Sequence, residues 1–268
     1  MEHYLQFFWL IPLGFFAGAY GTLIGAGGGF VLAPALLLIY PTENAEVITS
    51  ISLTVVFFNA LSGTLAYAST NRIDYKSGLI FALASMPGAV VGALATTAMS
   101  RARFNLLFGG LLILAALFLI ASPGKKSAFQ MGQANSKTPA ILNLHGAALF
   151  LGFLVSSLFG FISSFLGIGG GFLYVPALVY LLQFTIHAAT ATSLFVLTIT
   201  SLTGVATHVA ADLYHHGMRR ALFLSIGAIL GAQVGAKLSR HLGGDWILRG
   251  LAFALGLVGL RLLVSSLW

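Results

Sequence analysis

The stretch Gly25-Ala26-Gly27-Gly28-Gly29-Phe30, followed by Pro34-Ala35-Leu36, breaks a long apolar run near the start of the chain. The same pattern returns 142 residues later as Gly167-Ile168-Gly169-Gly170-Gly171-Phe172, followed by Pro176-Ala177-Leu178. Helix-breaking residues inside apolar runs, at matching positions in two halves, indicate a binding site at the depth of a membrane. The doubled motif therefore predicts both the internal symmetry of the fold and the place of its site.

The composition predicts an integral membrane protein. Of 268 residues, 58% are hydrophobic and only 7% are charged, and the mean hydropathy is +0.98. A soluble domain needs a far more charged surface. The net charge of +7 comes from short clusters between apolar runs, which suit loops that face anionic lipid headgroups. We therefore expect a lipid bilayer around the chain and no nucleic-acid partner.

The rest of the chain also indicates a duplication. Ser52-Leu53 and Gly63 correspond to Ser193-Leu194 and Gly204, each 141 residues later. The predicted fold class is all-α: a polytopic transmembrane helix bundle of two internal repeats, residues 1–121 and residues 144–268. Residues 122–143 form a polar, basic linker rich in turn formers, which the distribution of Lys and Arg places on the cytoplasmic side.

The first element of each repeat has an unusual length. Phe7 to Tyr40 spans 34 residues without a charge; as one helix it would reach about 51 Å, against a hydrocarbon core of about 30 Å. We expect a discontinuous helix or a re-entrant hairpin that breaks at the glycines, and the same for Leu144 to Leu182. A re-entrant return gives inverted repeats and four full crossings per half give parallel ones; the basic residues do not decide between them.

The glycines are the first candidate binding residues. Consecutive glycines free backbone N–H groups from the helical ladder, and a helix that restarts at Phe30 or Phe172 directs the positive end of its dipole at them. Close helix packing through small residues is the alternative explanation. The predicted substrate-binding glycines are Gly25, Gly27, Gly28, Gly29, Gly167, Gly169, Gly170 and Gly171.

A polar helix in each half supplies the remaining candidates. Ser52 and Asn59 share one helical face in the first half, and Ser193 and Thr200 share one in the second. Such a stripe could bind substrate oxygens, or it could join helices by hydrogen bonds. His208 and Asp212, one turn apart, are either a proton-coupling pair or polar residues at the membrane edge.

The sequence pattern does not favour catalysis. No Ser-His-Asp set, no carboxylate pair within one apolar helix and no metal-ligand spacing stands out. We expect no enzyme activity, no metal and no cofactor.

At the doubled glycine motif, at Thr192-Ser193-Leu194 and at the later Gly-Ala segments, the chain resembles the sulfite and sulfonate exporter family of the TauE/SafE type. The resemblance covers essentially the whole chain. It implies a multi-pass secondary transporter of the bacterial inner membrane that exports small sulfur-containing anions, such as sulfite or sulfoacetate, by alternating access.

Two alternatives stay open beside this expectation: a carrier of another small organic anion, such as a carboxylate, and a non-transporting membrane assembly partner. The expected partners are a small anionic substrate, the lipid bilayer and a second copy of the chain in a homodimer.

Overall fold

The computed structural model describes residues 7–121, 147–180, 182, 184–214, 217–239 and 244–267. In these ranges all regular secondary structure is helical, which confirms the predicted all-α class. The predicted linker, residues 122–143, lies outside the described residues.

Ten α-helices fall into two series of five. The first series is α1 (Leu10–Ile24), α2 (Gly29–Ile39), α3 (Ala45–Ala68), α4 (Tyr75–Ala95) and α5 (Arg101–Ala121), with a 3₁₀ turn at Thr96–Ala98. The second is α6 (Ala147–Leu166), α7 (Gly171–Tyr180), α8 (Ile186–Ala210), α9 (Met218–Leu238) and α10 (Gly244–Leu267). Each series has a helix, a break at the glycine motif, a short helix and then three long helices.

Five helices among the described residues are long and apolar enough to cross a membrane. They are α3, α4 with its 3₁₀ extension, α5, α8 and α9. Large apolar side chains cover the outside of the bundle; Phe16, Ile120 and Phe253 each expose 70–72% of their surface. In water such a surface would aggregate, whereas lipid chains solvate it. The chain is therefore a multi-pass membrane protein.

Side-chain caps start one long helix in each series. Asp74 accepts a hydrogen bond from Ser77 N (3.1 Å) at the start of α4, and Thr185 accepts one from Ala188 N (3.2 Å) at the start of α8. Each cap satisfies an N–H group that has no partner inside its helix.

Small residues allow two pairs of helices to pack closely and in parallel. On α9, Gly227 lies against the carbonyl of Ile11 and Gly231 against that of Phe15, so contacts advance by one turn on both helices. Gly88 and Gly92 of α4 pack in the same way on α6. A side chain at these glycines would overlap backbone atoms, so their absence of a Cβ sets the helix spacing.

The break between α1 and α2 reverses the direction of the chain. The ring of Phe8, just before α1, lies 5.4 Å from that of Phe223 near the start of α9. Tyr40, just after α2, lies 4.1 Å beneath the guanidinium of Arg220, also at the start of α9. The start of α1 and the end of α2 therefore lie at the same end of the bundle.

The helix α7 ends at the opposite end of the bundle. Its last residue, Tyr180, has its ring 6.1 Å from that of Phe118 near the end of α5. The helix α5 begins beside Tyr40, because Arg101 donates to the Tyr40 carbonyl (3.0 Å). The two short helices α2 and α7 thus point to opposite ends.

Candidate functional site

Both glycine motifs form turns whose left-handed backbone glycine adopts more easily than other residues. The first glycine turn is Gly25–Gly29 and the second glycine turn is Gly167–Gly171. Three glycines in each have positive φ: Gly25 (81°), Gly27 (76°), Gly28 (76°), Gly167 (67°), Gly169 (82°) and Gly170 (66°). All ten residues of the two turns are buried.

The two turns lie against each other in the centre of the bundle. A Cβ added to Gly29 would lie 2.8 Å from the carbonyl oxygen of Gly167, and one added to Gly171 would lie 2.6 Å from the Cα of Ala26. The starts of α2 and α7 are therefore neighbours, although the two helices belong to different halves.

The predicted serines join each polar helix to the opposite turn. Ser52 of α3 donates to the carbonyl of Gly167 (2.6 Å), and Ser193 of α8 donates to the carbonyl of Gly25 (2.7 Å). Neither bond was expected from the sequence, which placed the two serines on polar faces but gave no partner for them.

Asn59 and Thr200 lie farther from the turns. Asn59 accepts from Thr22 Oγ1 (2.9 Å) and its Nδ2 donates to the carbonyl of Ala228 (3.3 Å), so it joins α1, α3 and α9. The hydroxyl of Thr200 pairs with that of Ser85 (2.7 Å) on α4. Both side chains hold helices together in this conformation, and their role in binding stays a prediction.

Two apolar side chains that the sequence analysis missed cover the turns. Val56 and Leu197 are fully buried and each packs against both turns. A Cβ added to Gly27 would lie 3.1 Å from a methyl carbon of either side chain. Val56 lies four positions after Ser52, and Leu197 lies four positions after Ser193, so each is one turn along the same helical face. This spacing is the sequence signal from which the two residues could have been found.

Several backbone N–H groups of the turns have no acceptor in the part of the chain that the structure describes. In the first turn Ala26 and Gly27 donate to the Gly21 carbonyl (2.8 and 3.2 Å). The N–H groups of Gly28, Gly29 and Phe30 donate to no described residue. In the second turn Ile168 donates to the Ser163 carbonyl (3.2 Å), and four N–H groups donate to no described residue: those of Gly169, Gly170, Gly171 and Phe172.

Buried N–H groups without an acceptor are rare because each carries a desolvation cost. Here they lie at the starts of two helices, where the helix dipoles add positive potential. The arrangement can bind a negatively charged oxygen without a Lys or Arg side chain.

His208 and Asp212 do not form a pair. His208 is fully buried; its Nδ1 lies 2.5 Å from Ser50 Oγ of α3, and its Nε2 has no partner among the described residues. Asp212 is exposed in the turn after α8, with φ of 53°. In that same turn burial raises the pKa of Tyr214, while its hydrogen bond to Thr54 lowers it. Proton coupling by His208 or Asp212 stays a prediction.

Charged residues cluster where α2 ends. Arg101 donates to the carbonyls of Leu37, Tyr40 and Glu43, and so caps the C-terminus of α2. Arg220 of α9 pairs with the Glu43 carboxylate at 2.7 Å. These contacts fix the α2–α3 connection to both halves of the chain.

Metal ligation finds no support in the described ranges, where no three His, Cys, Asp or Glu side chains come close enough to share an ion.

This fold and site define a class: multi-pass helical membrane proteins in which two broken helices meet in the centre of the bundle. The family model described as "Sulfite exporter TauE/SafE" matches residues 10–262, and the chain belongs to this family of membrane transporters.

Three relatives carry consistent names. The chain is similar to "Probable membrane transporter protein YunE" of Bacillus subtilis, with 32% identity over 98% of this chain and 100% of the relative. A "Probable membrane transporter protein" of Methanocaldococcus jannaschii is 26% identical over 97% of both chains. One of Xylella fastidiosa is 27% identical over 92% of this chain and 89% of the relative. No solved structure gives a significant match.

Proposed function

We propose that this protein is a secondary transporter that binds a small anion at the two glycine turns and moves it across a bacterial inner membrane by alternating access. The observation that carries the proposal is the set of buried, unpaired N–H groups at the starts of α2 and α7. An oxyanion has several acceptor oxygens in a small volume, so one ion can accept from several of these donors.

Sulfur-containing anions, such as sulfite and sulfoacetate, are the substrates that fit best. Their tetrahedral or pyramidal oxygen groups suit convergent N–H donors, and the family description names sulfite export. Export down the gradient of the anion, or coupled to protons, is the mode we propose.

The directions of the helices favour inverted repeats. The pair α1–α2 begins and ends at one end of the bundle, whereas α7 ends at the other. Each glycine turn then belongs to a re-entrant pair that enters from its own side of the membrane. In transporters of this kind the substrate site lies where the repeats meet, near the bilayer midplane.

This conformation represents a closed state of the cycle. Val56 and Leu197 cover the turns, so an anion reaches the N–H groups only after α3 or α8 moves away. Because Ser52 and Ser193 join these helices to the opposite turns, we propose that a shift of either helix also changes the turn to which it is bonded.

A flux measurement in proteoliposomes tests the function. Purified protein is reconstituted, and the entry of labelled sulfite, sulfoacetate and acetate is followed. We expect the two sulfur anions to move faster than in protein-free liposomes. Movement of acetate alone would favour a carboxylate carrier, and movement of no anion would favour a non-transporting assembly partner.

A glycine variant links the flux to the turn. Gly170 has a φ of 66° and lies against Ser163, so Gly170→Ala should abolish flux. The control is Gly110→Ala, since a Cβ at Gly110 meets no atom within 4 Å. If both variants assemble normally and transport equally well, the turn is not the site.

A further inference from the structure

The two glycine turns differ in how many of the polar groups in and beside them have a hydrogen-bond partner. In the first half, Gly21 and Thr22 precede the turn, and the Thr22 hydroxyl donates to Asn59. The corresponding residues of the second half, 142 positions later, are Ser163 and Ser164. Both serine hydroxyls are fully buried and have no partner among the described residues.

Ser163 lies beside the second turn. Its Oγ is 3.2 Å from the position that a Cβ on Gly170 would occupy. Its own carbonyl accepts from the N–H of Ile168 (3.2 Å), which holds the residue at the base of the turn. Ser164 faces a different element, because its Oγ lies 2.7 Å from the Cβ position of Gly204 on α8.

The backbone of the second turn also makes fewer hydrogen bonds than that of the first. Beyond the last helical hydrogen bond, the carbonyl of Gly21 accepts from Ala26 and Gly27, whereas that of Ser163 accepts from Ile168. Four N–H groups, from Gly169 to Phe172, donate to no described residue, against three in the first turn. Donors without acceptors therefore concentrate around Gly170.

A buried hydroxyl without a partner is costly, and a protein has little reason to keep one at a site that is already tightly packed. Alanine would remove that cost at position 163 with almost no change in volume. Because Ser163 lies beside Gly170, where the backbone N–H groups also donate to no described residue, an arriving anion would supply an acceptor for the hydroxyl and for these groups together.

We infer that the second glycine turn is the principal anion subsite, and that Ser163 Oγ donates a hydrogen bond to an oxygen of the bound anion. The first turn, with fewer free N–H groups, then contributes less to the binding of the anion than the second. This inference rests on the proposed function and adds to it a residue that determines affinity. The ligand class is an oxyanion with at least two oxygens, one for Ser163 and the others for the N–H groups.

The test uses the full-length protein in detergent. Its melting temperature is followed against sodium sulfoacetate or sodium sulfite, with sodium chloride at matched ionic strength as the reference. A ligand that binds only the folded state raises the melting temperature with concentration, which yields the affinity. Ser163→Ala should weaken binding about tenfold or more, as expected for loss of a hydrogen bond to a charged group.

The ligand-free melting temperature of Ser163→Ala should stay equal to that of the wild type or rise, because no protein hydrogen bond is lost. The matched control is Ser225→Ala. Ser225 is another buried serine whose hydroxyl has no partner among the described residues, and it lies on α9, a helix that packs against α1 and α3. Removal of this hydroxyl should leave the anion affinity unchanged. Should Ser163→Ala fail to assemble, Ser163→Gly replaces it, since glycine stands at the corresponding position 21.

The outcomes separate the inference from the function it rests on. If sulfoacetate or sulfite stabilises the wild type and Ser163→Ala equally, the inference is overturned while the anion site stands. If Ser225→Ala weakens binding as much as Ser163→Ala, the effect is not local and the inference also fails. If neither anion stabilises the wild type, both the inference and the proposed anion site fall.

Discussion

The Ser52 hydroxyl donates to the carbonyl oxygen of Gly167 over 2.6 Å, so a helix of the first half holds the glycine turn of the second. Ser193 and Gly25 form the reciprocal bond at 2.7 Å. A carbonyl at the end of a helix has no partner inside the helix. The two serines supply that partner, and they make the orientation of each turn depend on the opposite half.

Removal of either serine hydroxyl should destabilise the protein. Ser52→Ala leaves the Gly167 carbonyl buried without its donor, which costs about 1–3 kcal/mol in the free energy of unfolding. Ser193→Ala should cost a similar amount, and the double variant should be non-additive because the two turns are in contact. Thermal unfolding in detergent measures the effect. A Ser52→Ala protein as stable as Ser225→Ala would contradict it.

The glycine motifs show what the sequence could and could not reveal. Two helix breaks were predictable, because a cluster of glycines favours the left-handed backbone found at Gly25 and Gly167. That Ser52 would reach the opposite turn was not, since its partner is 115 residues away and depends on how the halves pack. Val56 was missed because a valine in an apolar helix resembles any lipid-facing residue.

The expected proximity of His208 and Asp212 required α8 to continue as far as Asp212, which it does not. Four residues separate them, which would place both on one face if α8 continued. The helix ends at Ala210, and Asp212 lies in a turn with φ of 53°. The partner of His208 comes instead from α3, a contact across 158 residues that local spacing cannot indicate.

Leu197→Ala should lower stability and broaden the range of anions transported. Leu197 is fully buried, and truncation of such a leucine costs about 2–5 kcal/mol in the free energy of unfolding. The space that it leaves adjoins Gly27 and Gly171, so a bulkier sulfonate gains room beside the N–H groups. The measurement is the flux ratio of sulfoacetate to sulfite. A variant that loses stability but keeps this flux ratio unchanged would show that Leu197 does not line the route of the anion.

Arg220→Gln should loosen the end of α2. Arg220 pairs with Glu43 at 2.7 Å and stacks on Tyr40, and both charged side chains are at least 84% buried. An ion pair that is mostly but not fully buried contributes about 1–3 kcal/mol to the free energy of unfolding. This value lies between those for surface pairs and for fully buried pairs. Arg220→Lys should restore only part of it, because Lys lacks the planar group that stacks on a ring.

The control for this pair is Arg103→Gln, which changes an exposed arginine on α5. Melting temperatures at low and high salt measure both variants. Equal losses in the two variants would show that the Arg220 contact adds nothing beyond its charge.

His208→Asn tests whether the buried imidazole couples protons to transport. Ser50 of α3 and Tyr214 from the turn after α8 lie beside it, and Tyr214 in turn shares a hydrogen bond with Thr54 of α3. Asparagine can place a polar atom near the position of Nδ1 and keep the contact with Ser50, but it cannot titrate. Coupling through His208 predicts that uptake driven by a pH gradient disappears while exchange of labelled for unlabelled anion continues.

Sulfoacetate is the suitable substrate for this experiment near neutral pH, because its sulfonate and its carboxylate both stay ionised there, so a pH effect reports on the protein. Asp212→Asn tests the other candidate: its side chain is exposed, and if His208 alone carries the proton, both modes of transport should persist in this variant. If His208→Asn keeps gradient-driven uptake, the proton moves by another route. If it loses exchange as well, the Ser50–His208 contact shapes the transport path itself, and the imidazole has a structural role rather than a coupling one.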